Sequence, residues 1–354
     1  MRVLINTNYN PDLGSMRVCV HEMTDRFRGR GMEVTRNDWD NYGDYDLILF
    51  MGYDSKVREA KKANPRAIVG LMMVYLFEDW QRAEAAAADV LFADSIEMRE
   101  RLLETNKNVF IYYMFPVMDD RATPGKGHND RIIIGYHGSR THMVQAHALV
   151  RALDRLAQNY DIELWAIYNI GLVGRWEKNH PKKCPVRHIQ WSDENIYEYL
   201  SQCDMGVAPG TIPINRSRGL KASRFVSTYR KNWLYYSHTD NLIRFKLPTN
   251  PSRLYPFSHL RVPVVAEFVP SFCQFIQDGV SGHLVSGEDG WYRGLESLIL
   301  DPDSRNSMSD ALKRYVDANH TPQMIFERFL LYVDDVKERR RRSAQDVGQA
   351  VPLE

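Results

Sequence analysis

The stretch RIIIGYHGSRTH, residues 131–142, opens on β-branched side chains, meets Gly135 and Gly138, and passes through polar residues into an apolar-periodic segment. Three consecutive isoleucines favour a strand covered on both faces, and a glycine at its end lets the following turn approach a ligand closely before a helix begins. The chain has already begun once in this way, because MRVLINTNYNPDLGS at 1–15 is another apolar run leading into a polar loop with a glycine. A pattern that starts twice predicts two α/β domains. The length of 354 residues accommodates them, since single cores tend to split beyond roughly 250 residues.

Moving outward from residue 131, the same alternation appears on both sides. Upstream, VLIN (3–6), DLILFM (46–51), AIVGLM (67–72), VLFAD (90–94) and NVFIYY (108–113) read as strands. Helical patterns near 15–29, 54–63, 78–88 and 95–104 separate them. DDRATPGKGHND at 119–130 has no periodicity and reads as a linker. Downstream, a helix at 143–158 precedes ELWAIY (163–168) and VRHIQW (186–191), then a helix at 193–203, DMGVAP (204–209), RVPVVA (261–266) and GHLV (282–285). Short apolar runs spaced by helices of this length predict parallel sheets covered on both faces. The expected division is a Rossmann-like domain over 1–125, a second over 131–320, and a terminal helix over 321–345.

The bulk numbers exclude more than they assign. A formal net charge of +1 gives no general attraction for nucleic acid. Cys19, Cys184, Cys203 and Cys273 form no CxxC pair, and no apolar run reaches the roughly 18 residues of a membrane span. The scattered cysteines fit a reducing cytoplasm, and RVLIN follows the first residue without an apolar leader, so the expectation is a cytoplasmic protein, at most peripheral at the inner face of a membrane. KERRRR at 337–342 suits a solvated helix end and its dipole, or alternatively an anionic membrane surface. His180, Cys184 and His188 have the spacing of one helix face, but Pro181 and Pro185 argue against a helix, so no metal is expected there. His137, His142 and His147 lie five apart, off any common helix face, which leaves His142 beside the loop as the one within reach of a ligand.

The most informative segment is 240–285. Arg253, Leu254 and Tyr255 stand where a Lys-Leu-x-Glu-Tyr helix would begin, and Pro263, Val264, Val265 and Ala266 match a Gly-x-Pro-Val-Val-Ala strand. Ile276, Asp278 and Gly279 match an Ile-x-Asp-Gly turn, and Gly282, Leu284 and Val285 a Gly-x-Leu-Val strand. Together with CDMGVAPGTIPIN at 203–215, this resembles the donor-binding half of GT-B glycosyltransferases, in particular the large retaining family four. The resemblance implies an α/β GT-B fold, with two Rossmann-like domains whose parallel sheets face each other across a cleft, and a last helix that crosses back from the second domain onto the first. It also implies transfer of a sugar from a nucleotide diphosphate donor to a glycan, lipid-linked or protein acceptor, with retention and without a metal or other cofactor. The sequence departs from the family where Pro248 and Pro256 replace two glutamates separated by seven residues. Gln274 replaces a common acidic residue, and no lysine follows Arg140.

Candidate donor residues follow from charge and position. Gly14 and Gly138 suit loops that admit an anion, and Gly14 equally suits an ordinary tight turn. Arg140, beside Ser139, could grip a diphosphate with its guanidinium fork or lie on the surface. Ser252, Arg253 and Ser271 stand at helix starts, where developing negative charge on a leaving diphosphate is best met. The basic and aromatic segment 217–246 contributes Lys221 and Lys246, which could bind a sugar nucleotide, stack on nucleic acid, or form an ordinary helix face. On the acceptor side, Asp12, Glu78 and Asp79 follow strand ends, and capping is the competing role for Asp79 and Ser95. Two rival readings remain: a weakened GT-B protein serving as a partner subunit, and a single-stranded nucleic-acid binder, which the near-neutral charge disfavours.

Overall fold

Apolar runs that no water can reach must hydrogen-bond to one another, and in this chain they assemble into two parallel sheets. The structure is a computed structural model that describes residues 1–10, 14–52, 54–74, 76, 78–118, 131–213, 243–245 and 250–349. It divides into one unit of Met1–Val117 with Asn319–Glu354, and a second of Met118–Ala318.

The first unit contains β1 (Arg2–Thr7), β2 (Glu33–Arg36), β3 (Leu47–Met51), β4 (Ile68–Met72), β5 (Val90–Ala93) and β6 (Val109–Ile111), in the order β2-β1-β3-β4-β5-β6. Every residue of β3, β4 and β5 is buried, as expected of strands covered by helices on both faces. The sequence reading has no counterpart to β2. EVTR carries a single aliphatic side chain and lies exposed at the sheet edge, so it has no hydrophobic signal to read. The helix Pro322–Gln349 completes this unit. Its Phe329 is fully buried, with ring centres 5.1 Å from Phe92 and 6.0 Å from Phe27. Arg340 near its end donates to the carbonyls of Pro65 and Ala67 and to the buried carboxylate of Asp89. Part of the basic KERRRR run is therefore occupied within the unit. Among the described residues no helix is long and apolar enough to cross a membrane.

The second unit contains β7 (Ile132–His137), β8 (Ile162–Tyr168), β9 (Val186–Gln190), β10 (Met205–Ala208), β13 (Val264–Glu267) and β14 (His283–Val285), in the order β14-β13-β10-β7-β8-β9. Between them, β11 (Thr211–Pro213) and β12 (Ile243–Phe245) form an antiparallel pair. Counted within this unit, the strand order is the 3-2-1-4-5-6 of dinucleotide-binding sheets, whereas the first unit has the flavodoxin-like order that begins 2-1-3. The order reverses between β7 and β10 in one sheet and between β1 and β3 in the other. The expected helix at 143–158 is split into Arg140–Gln145 and His147–Leu156, because Ala146 leaves helical geometry at ψ 59°.

Candidate functional site

At the reversal point of the second sheet, two glycines make room for what lies above. Gly206 on β10 pairs with Gly135 on β7. A Cβ on Gly206 would stand 2.5 Å from the Phe257 ring, so only glycine lets that ring rest on the strand. Phe257 is fully buried and anchors the helix Leu254–His259, which continues from a 3₁₀ turn, Pro251–Arg253. Asn250 starts that turn by accepting from the Ser252 N–H at 3.0 Å. Arg253 is thereby fixed at the junction of turn and helix.

Arg253 is the central feature. It is only 7% exposed, its guanidinium carbon lies 5.7 Å from the centre of the Phe272 ring, and its Nη1 has no hydrogen-bond partner among the described residues. Burial lowers its pKa, while Tyr136 and Glu267 pull it back up. An arginine still remains protonated, so this is a desolvated cation with an unfilled donor. His137 Nε2 sits 2.9 Å from the Arg253 carbonyl oxygen, and because a carbonyl only accepts, Nε2 carries the proton. Burial pushes the His137 pKa down to about 4, which keeps the ring neutral.

The loop after β7 completes the setting. Gly138 has φ +131°, and a Cβ there would meet Arg253 Cδ and the Tyr136 hydroxyl, each at 3.2 Å. The Tyr136 hydroxyl donates to the Ser139 carbonyl at 2.6 Å and lies 3.2 Å from His142 Nδ1. Its pKa is raised by burial, so it stays a hydroxyl. Across the sheet end, Glu267 at the close of β13 is buried and accepts from the Gly210 N–H at 2.9 Å. Ser271 is fully buried beside Phe272.

Of the residues singled out by sequence, Gly138, His142, Ser252, Arg253 and Ser271 are gathered around this point. Arg140 shares the loop, but its guanidinium donates to the Arg175 carbonyl at 3.1 Å. Gly14 opens the short helix Gly14–Met16, which runs into a π-helical segment, Arg17–Glu22, in the first unit. There Glu78 precedes the helix Asp79–Ala87 and its N–H is capped by Gln81 Oε1 at 3.1 Å. Asp79 is exposed and meets Arg82 at 3.5 Å, and Ser95 caps the helix Ile96–Leu103 by accepting from Met98 N–H. Asp12, Lys221 and Lys246 lie outside the described residues. His180 and His188 approach to 3.3 Å, while Cys184 directs its thiol to the Pro185 carbonyl. Among the described residues no group of three His, Cys, Asp or Glu could hold a metal ion.

Tyr136 and Glu267 escaped the sequence reading, and His137 was set aside there in favour of His142. Tyr136 and His137 end an apolar strand, and Glu267 follows Val-Val-Ala directly. A polar residue closing a buried strand marks its carboxyl edge, the one signal that could have found them.

Two α/β units, each built on six parallel strands, and a polar site at the carboxyl edge of the second define the class: the chain has the GT-B fold of glycosyltransferases. No protein-family model matches the chain, and no curated protein matches it. Solved structures do. Anabaena Alr3699/HepE in complex with UDP is 12% identical, with 95% of this chain and 100% of that chain covered at a TM-score of 0.60. A glycosyltransferase from Rickettsia africae is 12% identical over 95% of this chain and 98% of that one, with a TM-score of 0.63. Sucrose-phosphate synthase from Thermosynechococcus elongatus is 13% identical over 97% and 100%, again at 0.63.

Proposed function

We propose that the protein is a glycosyltransferase that moves a sugar from a nucleotide diphosphate sugar to a glycan, lipid-linked or protein acceptor, with retention and without a metal. The observation that carries this reading is the Nη1 of buried Arg253, which has no hydrogen-bond partner among the described residues. A desolvated cation is costly unless an anion meets it, and a diphosphate is the anion that the GT-B fold is built to receive. In this reading Arg253 and the amides of the loop after β7 take up charge as the diphosphate leaves. His137 positions Arg253 through its backbone. Charge stabilisation of this kind is preorganised and needs no rearrangement during transfer. Alr3699/HepE was solved with UDP and with UDP-glucose, so uridine diphosphate is the first donor group to test. The first unit takes the acceptor.

The test is thermal stabilisation by UDP, GDP and ADP and by their sugar conjugates, since a ligand bound only to the folded state raises Tm by mass action. A selective rise with one diphosphate is expected; no rise with any of them would sink the donor assignment. A second reading, donor binding without turnover, is favoured by one observation: Pro256, where the resembled family has a glutamate, is buried in the helix Leu254–His259. Release of free nucleotide in the presence of acceptor separates the two.

A further inference from the structure

The first unit has a cavity of its own at the point where its strand order reverses. It measures about 540 Å³ and is lined by Asn8, Trp39, Asp54, Ser55, Lys56 and Trp80. Asn8 follows β1 and Asp54 follows β3, the two strands that flank the reversal, and open α/β sheets bind ligands at that point. The lining is stitched in place. Asn8 Nδ2 donates to Asp54 Oδ2 at 2.9 Å. Asn37, in left-handed geometry, accepts from the Thr7 N–H at 2.9 Å, and Asn6 donates to the Asp38 carbonyl at 2.9 Å, which draws the segment bearing Trp39 over the end of β1. Trp39 is half-buried, 5.9 Å from the Phe50 ring, whereas Trp80 is 44% exposed in the first turn of its helix.

The chemistry of the lining selects a ligand. Two indoles offer broad apolar faces with little entropy to lose. Asp54 is an acceptor-only carboxylate and repels an anion, and Lys56 is already 3.5 Å from Glu59. A phosphate is therefore a poor occupant. A neutral ring with apolar C–H faces and hydroxyl donors along its rim fits both requirements, and the volume lies within the range of small-molecule sites. Resting on the transferase reading above, we propose that this cavity binds a pyranose ring of a saccharide acceptor, stacked on Trp80 and Trp39 with its hydroxyls on Asp54 and Asn8. That choice favours a glycan over a protein or the lipid part of a lipid-linked acceptor.

The test is saturation-transfer NMR with methyl glycosides and trisaccharides of glucose, galactose and N-acetylglucosamine, on the wild type, Trp80→Ala and Asp54→Asn. UDP stabilisation is measured on the same samples. The best saccharide should lose about tenfold in affinity in Trp80→Ala and about fivefold in Asp54→Asn, with the UDP response unchanged. Equal saccharide affinity in the folded Trp80→Ala protein would overturn the proposal, as would a wild type that binds none of the panel. Saccharide binding that depends on Trp80 in a protein indifferent to UDP would uphold this cavity and sink the donor assignment instead.

Discussion

The two units put their candidate sites at the same topological place and fill them with opposite chemistry. In the second unit the reversal point between β7 and β10 carries a buried arginine, a neutral histidine and a buried glutamate, all closely packed. In the first unit the reversal point between β1 and β3 opens into a cavity lined by two tryptophans and short polar groups. The fold supplies a position and the local sequence supplies the polarity. A leaving diphosphate requires fixed positive charge away from water, where electrostatic interactions are strong. A neutral acceptor requires a surface it can enter and leave. Under the proposed function the contrast is a division of labour, and it can be broken by perturbing either unit and watching the other.

The largest effect is expected from Phe329→Ala. The ring is fully buried among Phe27, Phe92, Phe110 and Tyr112, so its removal should cost about 3–5 kcal/mol in urea unfolding. UDP stabilisation of the protein that remains folded should persist, because the residues proposed to bind the donor belong to the other unit. Loss of both together would show that the two sites are not energetically separate. Next comes Arg253→Met, which keeps the volume and removes the charge. UDP affinity should fall by about 100-fold, since charge-assisted hydrogen bonds to phosphate are strong. The ligand-free protein should melt at the same temperature or higher, because a buried cation whose Nη1 has no partner among the described residues is replaced by an apolar chain. A lower ligand-free Tm with unchanged UDP affinity would recast Arg253 as a structural residue.

The same contrast explains what the sequence could disclose. Both sheets were legible because β3, β4, β7 and β8 are near-continuous apolar runs, and burial on two faces leaves no other composition possible. The edge strand β2 was not, since pairing only with β1 left it free to be polar. The second unit offered spaced motifs, and Arg253, which stands at one of them, is a residue that the structure buries at the reversal point. His137 was passed over for His142, because its hydrogen bond is to a carbonyl 116 positions away that only the fold brings near. Trp39 and Asp54 come from two separate loops and Trp80 from the first turn of a helix, and they share no spacing, so no pattern along the chain joins them. Sequence motifs disclose sites built from one segment; sites assembled across strand ends appear only in three dimensions.

The smallest expected effect sharpens the comparison by pH. His137 is buried and neutral, with its pKa pushed from 6.5 down to about 4, first by desolvation and then by the nearby Arg253 charge, against the pull of its hydrogen bond to the Arg253 carbonyl. The unfolded chain binds a proton as pH falls through about 6.5, and the folded chain does not until about 4. Below 6.5 the unfolded state therefore holds more protons, so stability is full above that pH and declines as pH falls towards 4. At pH 5 the loss from this one group is on the order of 1–2 kcal/mol. His188 in the same unit and His320 in the other, both also lowered to about 4, act in the same direction. His137→Gln can still donate to the Arg253 carbonyl but cannot titrate. Chemical denaturation at pH 7 and pH 5 should show a smaller acid loss for this variant than for the wild type, with the remainder due to His188 and His320. An unchanged acid loss would mean that His137 takes up its proton at the same pH in the folded chain as in the unfolded one, which at pH 5 would put a second positive charge beside Arg253.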